Sequence, residues 1–487
     1  MKIKPLATFL LALTLATPPA IPSAAAEGLP DLGDIAQSEF SPQMERRIGE
    51  AIMREIRRDP AYLDDPEISA YLNQLGAKLV AASTDTHQSF EFFVVSDNTL
   101  NAFAMPGGYI GVHTGLILAA QNESELASVL AHEIAHVTQR HLARLISKSG
   151  QNQLISIASI IVAILAARSN PQISQAVLMT GSAAQVQSQI NYTREFEREA
   201  DRVGIQVLEG AHYDVRGMAA FFERLQKVNR LYENNAPAYL LTHPLTTERI
   251  ADLGNRIQQL PYKQVADSLD FQLVRAKLRA EQGTPREAVT EFQAQLQEKR
   301  FSAQGTPHYG LARAFLRAGD YAAAEREVAT LRRLKTASPM VETLAAELKL
   351  AQGDAPAALQ IYRDALARYP LSRALSYGHI DALLSTGNAP GALRVASAET
   401  QTYPSDPRLH GLLAKTYAAL GKRVQQHRAQ AEVYALKGQL QAAIEQLQIA
   451  QKSGDGDFYE LSAVDSRLRE LKARQVEEMK ETKEAKK

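Results

Sequence analysis

The sequence of 487 residues predicts a mostly α-helical fold of the α+β class, in which a helical domain with a small β-sheet precedes an α-solenoid. Two observations indicate this fold. Residues 122–137 carry helix-type apolar periodicity downstream of two short β-rich segments. From about residue 265, helix-breaking glycines recur at a nearly constant interval, which is typical of stacked helical repeats.

The N-terminus is typical of a secretory signal peptide. Lys2 and Lys4 precede an apolar run at residues 6–16, and three alanines stand before Glu27 as a cleavage site. A membrane anchor is the alternative, for which the run is short. The chain has no Cys, which excludes a lipoprotein, disulfides and thiolate zinc ligands. We therefore expect a soluble protein in the periplasm of a Gram-negative cell.

Two β-rich segments come next, at residues 92–95 and 109–112. A Pro-Gly-Gly turn at residues 106–108 separates them. The pattern predicts a small sheet.

Residues 132–136 read His-Glu-Ile-Ala-His within a predicted helix that Asn122 caps and Glu125 follows as a capping-box residue. Positions i and i+4 share a helix face, so His132 and His136 can bind one zinc ion while Glu133 lies beside it as a general base. A buried helix with incidental histidines is the alternative. His141 is five residues further on, and we expect it on the surface.

A catalytic zinc needs a third protein ligand. The extended zinc pattern fails because Gln139 and Leu142 replace its Gly and third His. The other common source is a Glu on a second helix, and residues 193–208 predict a helix that carries Glu197. Glu197 is therefore the expected third ligand, unless this cluster is an ordinary solvated face.

Asp201 follows Glu197 by one helical turn and shares its face, whereas Glu199 lies on another. We expect Asp201 to accept a hydrogen bond from a ligand imidazole and so to fix its tautomer.

An apolar run at residues 154–167 is short for a bilayer span. We interpret it as part of two helices over the cleft, either a lid or a buried hairpin. A shallow membrane contact is left open.

These motifs resemble the zinc metallopeptidases that include HtpX and the CAAX-prenyl endoproteases. The matching elements, in chain order, are the Asn-Ala-Phe-Ala-Met-Pro-Gly-Gly-Tyr-Ile stretch at 101–110, the His-Glu-x-x-His motif, Glu197 with Ala200 and Asp201, His243-Pro244, and Arg249-Ile250. The resemblance implies a zincin-type metallopeptidase domain with one Zn²⁺ per chain. It also implies that Asn101, Gly107 and Gly108 lie beside the substrate cleft.

Two further residues are catalytic candidates. His243 or Arg249 could stabilise the oxyanion of the tetrahedral intermediate. The resemblance also implies that His243 could fill the open zinc position and hold the enzyme latent. A loop histidine that caps local backbone is the third alternative.

The second half of the sequence predicts tetratricopeptide repeats. It has glycines at 283, 319, 353, 387 and 421, and each of the last three intervals between them is 34 residues long. Small or packing residues stand at fixed offsets after the first four glycines: Ala288, Ala324, Ala358, Ala392, and Phe292, Val328, Tyr362, Ala396. Gln426 breaks the pattern, and Gly438 with Ala443 resumes it after 17 residues, which indicates a shared helix. Such an array binds proteins or peptides, or it is purely structural.

The predicted organisation is a signal peptide at 1–26, a zinc metallopeptidase domain at 27–260, a tetratricopeptide repeat domain at 261–455, and a C-terminal helix with a tail at 456–487. We expect the tail from Ala473 to be frayed or disordered. The Gly- and Pro-punctuated junction near 255–265 predicts a repeat domain that folds on its own.

With these parts together, the whole chain resembles a family of periplasmic proteases that act in outer-membrane protein assembly. The resemblance implies chaperone-like and degradative roles toward outer-membrane β-barrel proteins, including the lipopolysaccharide-export barrel, and contact of the repeats with the barrel-assembly machinery. A formal charge of zero and the lack of a basic run exclude nucleic acid as a partner. The alternative function is an adaptor or chaperone whose zinc site stays latent.

Overall fold

A computed structural model describes residues 41–83, 88–149, 194–231 and 238–484. Within these ranges the chain forms a helical domain with a small sheet and then a long array of paired helices, which confirms the predicted fold class. The predicted signal peptide at 1–26 and the apolar run at 154–167 lie outside the described residues. None of the described helices combines the length and apolar character that a bilayer crossing requires.

Polar side chains cap the starts of the first two helices of the first domain. Ser41 accepts a hydrogen bond from the Met44 amide, and Asp65 accepts from the Glu67 and Ile68 amides. The helices are α1 (Pro42–Ile56), α2 (Pro66–Ala81), α3 (Thr114–Ala119), α4 (Glu123–Thr138), α5 (His141–Ser149), α6 (Arg194–Gly210), α7 (Arg216–Leu231), α8 (Ala238–Thr242) and α9 (Thr247–Gln258).

The sheet has three strands: β1 (Glu91–Val95), β2 (Ala102–Met105) and β3 (Tyr109–His113). Strand β3 is central, parallel to β1 and antiparallel to β2, with Ile110 opposite both Phe92 and Ala104. The two predicted strands are confirmed, but the sequence analysis missed β2. Its residues, Ala-Phe-Ala-Met, include no β-branched side chain, so the local strand signal is weak.

Helix α4 lies at the centre of the first domain, and all of its residues are buried. The predicted N-cap is confirmed, because Asn122 accepts a hydrogen bond of 2.9 Å from the Glu125 amide. The Glu125 carboxylate in turn pairs with Arg224 of α7. Helices α2, α6 and α7 and strand β2 pack around α4, so its faces are fixed on every side.

The repeat array consists of α10 (Leu269–Glu281), α11 (Pro285–Gln297), α12 (Gly305–Ala318), α13 (Tyr321–Arg333), α14 (Pro339–Ala351), α15 (Ala355–Arg368), α16 (Arg373–Ser385), α17 (Ala389–Thr402), α18 (Pro407–Ala419), α19 (Arg423–Leu436), α20 (Leu440–Lys452) and α21 (Phe458–Glu484). Each of the five predicted glycines adopts a left-handed φ, between 57° and 80°, in the turn between two paired helices. The small residues five positions later are buried at the helix crossings.

Helix α19 belongs to two helix pairs. It packs against α18 before it and α20 after it, and Gly421 and Gly438 form the two turns. This geometry gives the shared helix that the 17-residue spacing predicts. Helix α21 then packs on α20 and continues to Glu484, so the segment after Ala473 is helical as far as the description reaches.

The repeat array packs directly on the first domain. Glu123, at the start of α4, accepts hydrogen bonds from the amide and hydroxyl of Ser268, at 3.0 and 2.7 Å, and from Tyr71 at 3.0 Å. One apolar core runs from Ile68 of α2 to Leu348 of α14. A repeat domain cut at residue 265 would expose this core, which argues against the expectation that it folds alone.

A buried ion pair reinforces the same junction. Nζ of Lys277 lies 2.6 Å from Oδ2 of Asp65 and 2.6 Å from Oε2 of Glu67. The far end of the array also returns to the first domain, because a Cβ at Gly438 would overlap the side chain of Arg54 in α1.

We expect Lys277→Ala to lower the free energy of unfolding by about 3–5 kcal/mol, because it leaves two carboxylates unpaired in a mostly buried site. Lys415→Ala is the control, since this lysine is exposed and lies 3.6 Å from Asp381; it should change the free energy by less than about 0.5 kcal/mol. Chemical denaturation of both variants measures the difference. Equal midpoints would contradict a stabilising role for the junction ion pair.

Candidate metal centre

Helix α4 presents two imidazoles to one point. His132 and His136 are one turn apart and fully enclosed, and their Nε2 atoms lie 3.0 Å from each other. Two imidazole nitrogens that face each other in a buried site are of the ligand type that zinc takes.

Helix α6 packs against α4 and brings Glu197 to the same point. Oε2 of Glu197 lies 3.4 Å from Nε2 of His132, and Oε1 lies 3.4 Å from Nε2 of His136. The helix starts at Arg194 within the described residues, in agreement with the predicted span. Glu197 and Asp201 share its inward face, as expected.

His243 completes the cluster from the turn after α8. Its Nδ1 lies 3.1 Å from Oε1 of Glu197, and its Nε2 lies 3.4 Å from Oε1 of Glu133. One donor atom from each of His132, His136, Glu197 and His243 lies within 4.8 Å of all the others. The structure therefore brings together the three predicted ligands and the residue predicted for the open position.

The donor set fits a zinc ion. Three imidazoles and one carboxylate are ligands that zinc takes in a four-coordinate site. Both carboxylate oxygens of Glu133 are buried, and within the described part of the chain Oε1 has only a long contact of 3.4 Å to Nε2 of His243. A buried carboxylate with incomplete hydrogen bonding is costly in a closed protein core. Such a carboxylate is expected beside a site that binds a metal ion and water.

Asp201 and Arg249 lie behind the cluster. Oδ1 of Asp201 is 3.0 Å from Nδ1 of His132, and two N–H groups of Arg249 bond to the Asp201 carboxylate at 2.7 Å each. Arg249 is only 2% exposed and also lies 2.8 Å from Oε2 of Glu197. Because its donors face these carboxylates and the Pro244 carbonyl, it is placed to hold ligands rather than an oxyanion.

Burial and mutual charge set the protonation states. Burial works to raise the pKa of Glu197, but His243 and His132 outweigh it and hold that pKa well below its usual range. Burial lowers the pKa of His136 and raises the pKa of Glu133. For His132, Asp201 and Glu197 outweigh burial and raise the pKa to about 9. Glu197 is thus anionic, and Glu133 has the increased proton affinity that a general base uses.

The predicted cleft residues flank strand β2. Asn101 precedes it, and its backbone carbonyl accepts a hydrogen bond of 3.0 Å from the His113 amide. Gly107 and Gly108 follow it with φ of 77° and 80°, and a Cβ on Gly108 would overlap the Ser89 carbonyl. The glycines are therefore required by the turn itself. Their turn fixes the course of β2, which packs on α4.

The sequence analysis missed Tyr239. Its ring stacks on His243, with centroids 4.6 Å apart, and its hydroxyl is buried with no hydrogen-bond partner among the described residues. Burial raises the pKa of this phenol well above its ordinary value, so it remains a neutral donor. The four-residue spacing from His243 was the available signal, because it places both rings on one helical face.

The expectation that His141 is a surface histidine was wrong. His141 is 0% exposed, and its Nδ1 lies 2.8 Å from Nδ1 of His136. Its Nε2 lies 3.2 Å from Oε2 of Glu199. The expectation assumed one continuous helix, but Arg140 adopts a left-handed φ of 53°, which ends α4 and turns the chain inward.

The fold and the site together define a metallopeptidase joined to a repeat array. In agreement, residues 66–257 match Peptidase family M48, and residues 273–339 and 349–416 match tetratricopeptide repeats. The chain is 34% identical to a putative beta-barrel assembly-enhancing protease of Vibrio cholerae, over 91% of this chain and 92% of the relative. It is 32% identical to the beta-barrel assembly-enhancing protease of Escherichia coli K12, over 97% and 96%.

This chain therefore belongs to the family of beta-barrel assembly-enhancing proteases, and it is a metalloendopeptidase. A more distant relative is the mitochondrial metalloendopeptidase OMA1 of Homo sapiens, which is 27% identical over 42% of this chain and 38% of its own length. The predicted enzyme class and the predicted family are both confirmed.

We expect the protein to bind one zinc ion, and both His132→Ala and His136→Ala to lose it, because only two of the three expected ligands remain and His243 would add a donor only at the position that water otherwise takes. His410→Ala, in the repeat array, is the matched control and should keep zinc. Elemental analysis of dialysed protein gives the stoichiometry. Full zinc occupancy in a His132→Ala, His136→Ala double variant would contradict the assigned ligands.

Proposed function

We propose that this protein is a periplasmic zinc endopeptidase with chaperone-like activity, which supports assembly of outer-membrane β-barrel proteins and degrades those that stall or misfold. The observation that carries the proposal is the buried convergence of His132, His136 and Glu197 beside the buried carboxylate of Glu133. The names of the relatives support the connection with barrel assembly. The residues at 1–26 support export.

His132, His136 and Glu197 are the proposed zinc ligands, and Asp201 is the proposed partner that orients His132. A bound zinc ion would supply Lewis acidity toward a peptide carbonyl and would acidify water. Arg249, one of the two oxyanion candidates from the sequence, instead pairs with Asp201 and Glu197 and holds them in place. Tyr239 then becomes the candidate donor for the developing oxyanion, because its neutral hydroxyl is unpartnered among the described residues.

Glu133 is the proposed general base. It takes a proton from the attacking water and delivers this proton to the leaving amine. Its position next to the two histidines of α4, its complete burial and its raised pKa all suit that transfer.

Strand β2 is the proposed guide for the substrate. It is an edge strand of the sheet, and it packs on the helix that carries Glu133. An extended peptide could pair with this edge, as peptides do with exposed strands elsewhere. Asn101 at one end and Gly107 and Gly108 at the other would bound that cleft.

The general-base role predicts that Glu133→Gln keeps its fold and its zinc but loses proteolysis by about a thousandfold or more, because an amide cannot accept the proton. Casein hydrolysis with and without chelator measures the activity, and Glu298→Gln on the exposed surface of the array is the control. Near-normal turnover of Glu133→Gln would place the base elsewhere.

The geometry favours His243 as a latency switch. Its donor atom belongs to the four-residue cluster, and its ring lies 5.2 Å from that of His132 and 5.1 Å from that of His136, centroid to centroid. A fourth protein ligand would fill the position that water needs. In this state the enzyme rests inactive until the segment that carries α8 and His243 moves.

His243→Ala should therefore raise basal casein hydrolysis and lower cell viability on expression. An oxyanion role predicts the opposite sign, a loss of about a hundredfold with zinc retained. His410→Ala should leave hydrolysis unchanged. Activity of His243→Ala equal to that of the wild type would rule out both roles and leave a structural loop residue.

The second candidate function is an adaptor or chaperone, in which the repeats bind partner proteins and the zinc site stays latent. The presence of His243 within the ligand cluster favours it, and the repeat family indicates protein–protein interaction. An intact Glu133 favours the peptidase, since an adaptor has no use for it. Chelator-sensitive hydrolysis of casein by the purified full chain, measured for the wild type and for His243→Ala, decides between the two, because an adaptor stays inactive in both. In either case we propose that the array contacts the barrel-assembly machinery.

A further inference from the structure

His141 lies at the first position of α5, directly behind the metal centre. Its imidazole is fully buried, and its Nδ1 lies 2.8 Å from Nδ1 of His136. The ring stacks on Phe196 of α6 with centroids 4.6 Å apart and planes 11° apart. Stacking on one face and the Nδ1 contact at the ring edge together fix the orientation of this side chain towards His136.

The direction of the hydrogen bond between the two rings follows from their chemistry. Nε2 of His136 points into the ligand cluster, where it must carry a lone pair to bind a metal. In a neutral imidazole the proton must then be on Nδ1. Nδ1–H of His136 therefore donates to Nδ1 of His141, which must accept.

The other nitrogen of His141, Nε2, makes the second hydrogen bond. With Nδ1 accepting, Nε2 of His141 carries the proton, and this nitrogen lies 3.2 Å from Oε2 of Glu199. Arg144 lies 2.9 Å from the same carboxylate oxygen and anchors it. In this pair of hydrogen bonds, from His136 to His141 and from His141 to Glu199, every donor meets an acceptor. If both hydrogen bonds ran the other way, Nε2 of His136 would carry a proton and could not bind a metal.

We propose that His141, supported by Glu199, is a positioning residue that fixes His136 in the tautomer and orientation needed for zinc binding. It does for His136 what Asp201 does for His132, so each ligand histidine of α4 has its own partner. The proposal rests on the zinc centre of the proposed function. Loss of such a partner weakens metal binding by about 10- to 100-fold in comparable sites.

Two substitutions separate positioning from packing. His141→Phe keeps the ring that stacks on Phe196 but has no acceptor, whereas His141→Asn keeps an acceptor near the Nδ1 position but loses the ring. We expect His141→Phe to bind zinc about 10- to 100-fold more weakly than the wild type, and His141→Asn to bind more tightly than His141→Phe. Competition with a chromophoric chelator measures the affinities, and circular dichroism confirms the fold.

A purely structural role predicts the reverse order, because Phe preserves the packing and Asn does not. Zinc affinity of His141→Phe equal to that of the wild type, or above that of His141→Asn, would overturn the proposal. His308→Phe is the matched control, since His308 pairs with Glu327 at 2.6 Å in the repeat array. Its zinc affinity should match the wild type.

Glu199 gives a second test on a partly exposed residue, which does not depend on tolerance of changes at His141. Glu199→Gln keeps an oxygen that accepts from Nε2–H and should keep zinc affinity, whereas Glu199→Leu should weaken it. Equal zinc affinities of these two variants would contradict the hydrogen-bond relay from His136 through His141 to Glu199. A wild-type protein that binds no zinc would instead overturn the proposed zinc centre itself, so the two failures are distinguishable.

Discussion

The bidentate pair between Arg249 and Asp201 is the interaction on which the candidate metal centre depends. It joins α9 to α6 in a site where both side chains are almost fully enclosed, and it supplies the positive charge that compensates two buried carboxylates. Charges in such surroundings are stable only when paired and hydrogen-bonded. With Arg249 in place, Asp201 can face His132 and Glu197 can stay anionic, so both ligand-bearing helices are held in register.

Helix α4 is fixed at both of its ends by other parts of the chain. At its start, Glu123 accepts a hydrogen bond from the amide of Ser268, the residue before the first repeat helix. Just after its end, Arg140 forms an ion pair of 2.6 Å with Glu45 of α1. The helix that carries the catalytic motif is thus in direct contact with the array that is expected to bind partners. A displacement of the first repeat would reach His132 and His136 through a single rigid helix.

The local parts of this molecule were predictable, and the parts that depend on tertiary contact were not. The spacing of His132 and His136, and the placement of Glu197 with Asp201 on one face, follow from helix geometry, and the glycine period defined the repeats. Strand β2 lacked a signal because its pairing is supplied by β3. His141 was misplaced because one left-handed residue, Arg140, redirects the chain after α4. Arg249 needed Asp201 beside it before its role could be seen.

The contact between Gly438 and Arg54 changes how the solenoid is expected to behave. An open repeat array has two free ends, and it can lose repeats one at a time because each touches only its neighbours. Here the turn at Gly438 lies against Arg54 in the first helix of the peptidase domain, so the array is held at a second place besides its first repeat. The repeats up to Gly438 should therefore be coupled in stability to the peptidase domain at both places, whereas the helices that follow Gly438 are the part of the array that can unfold first.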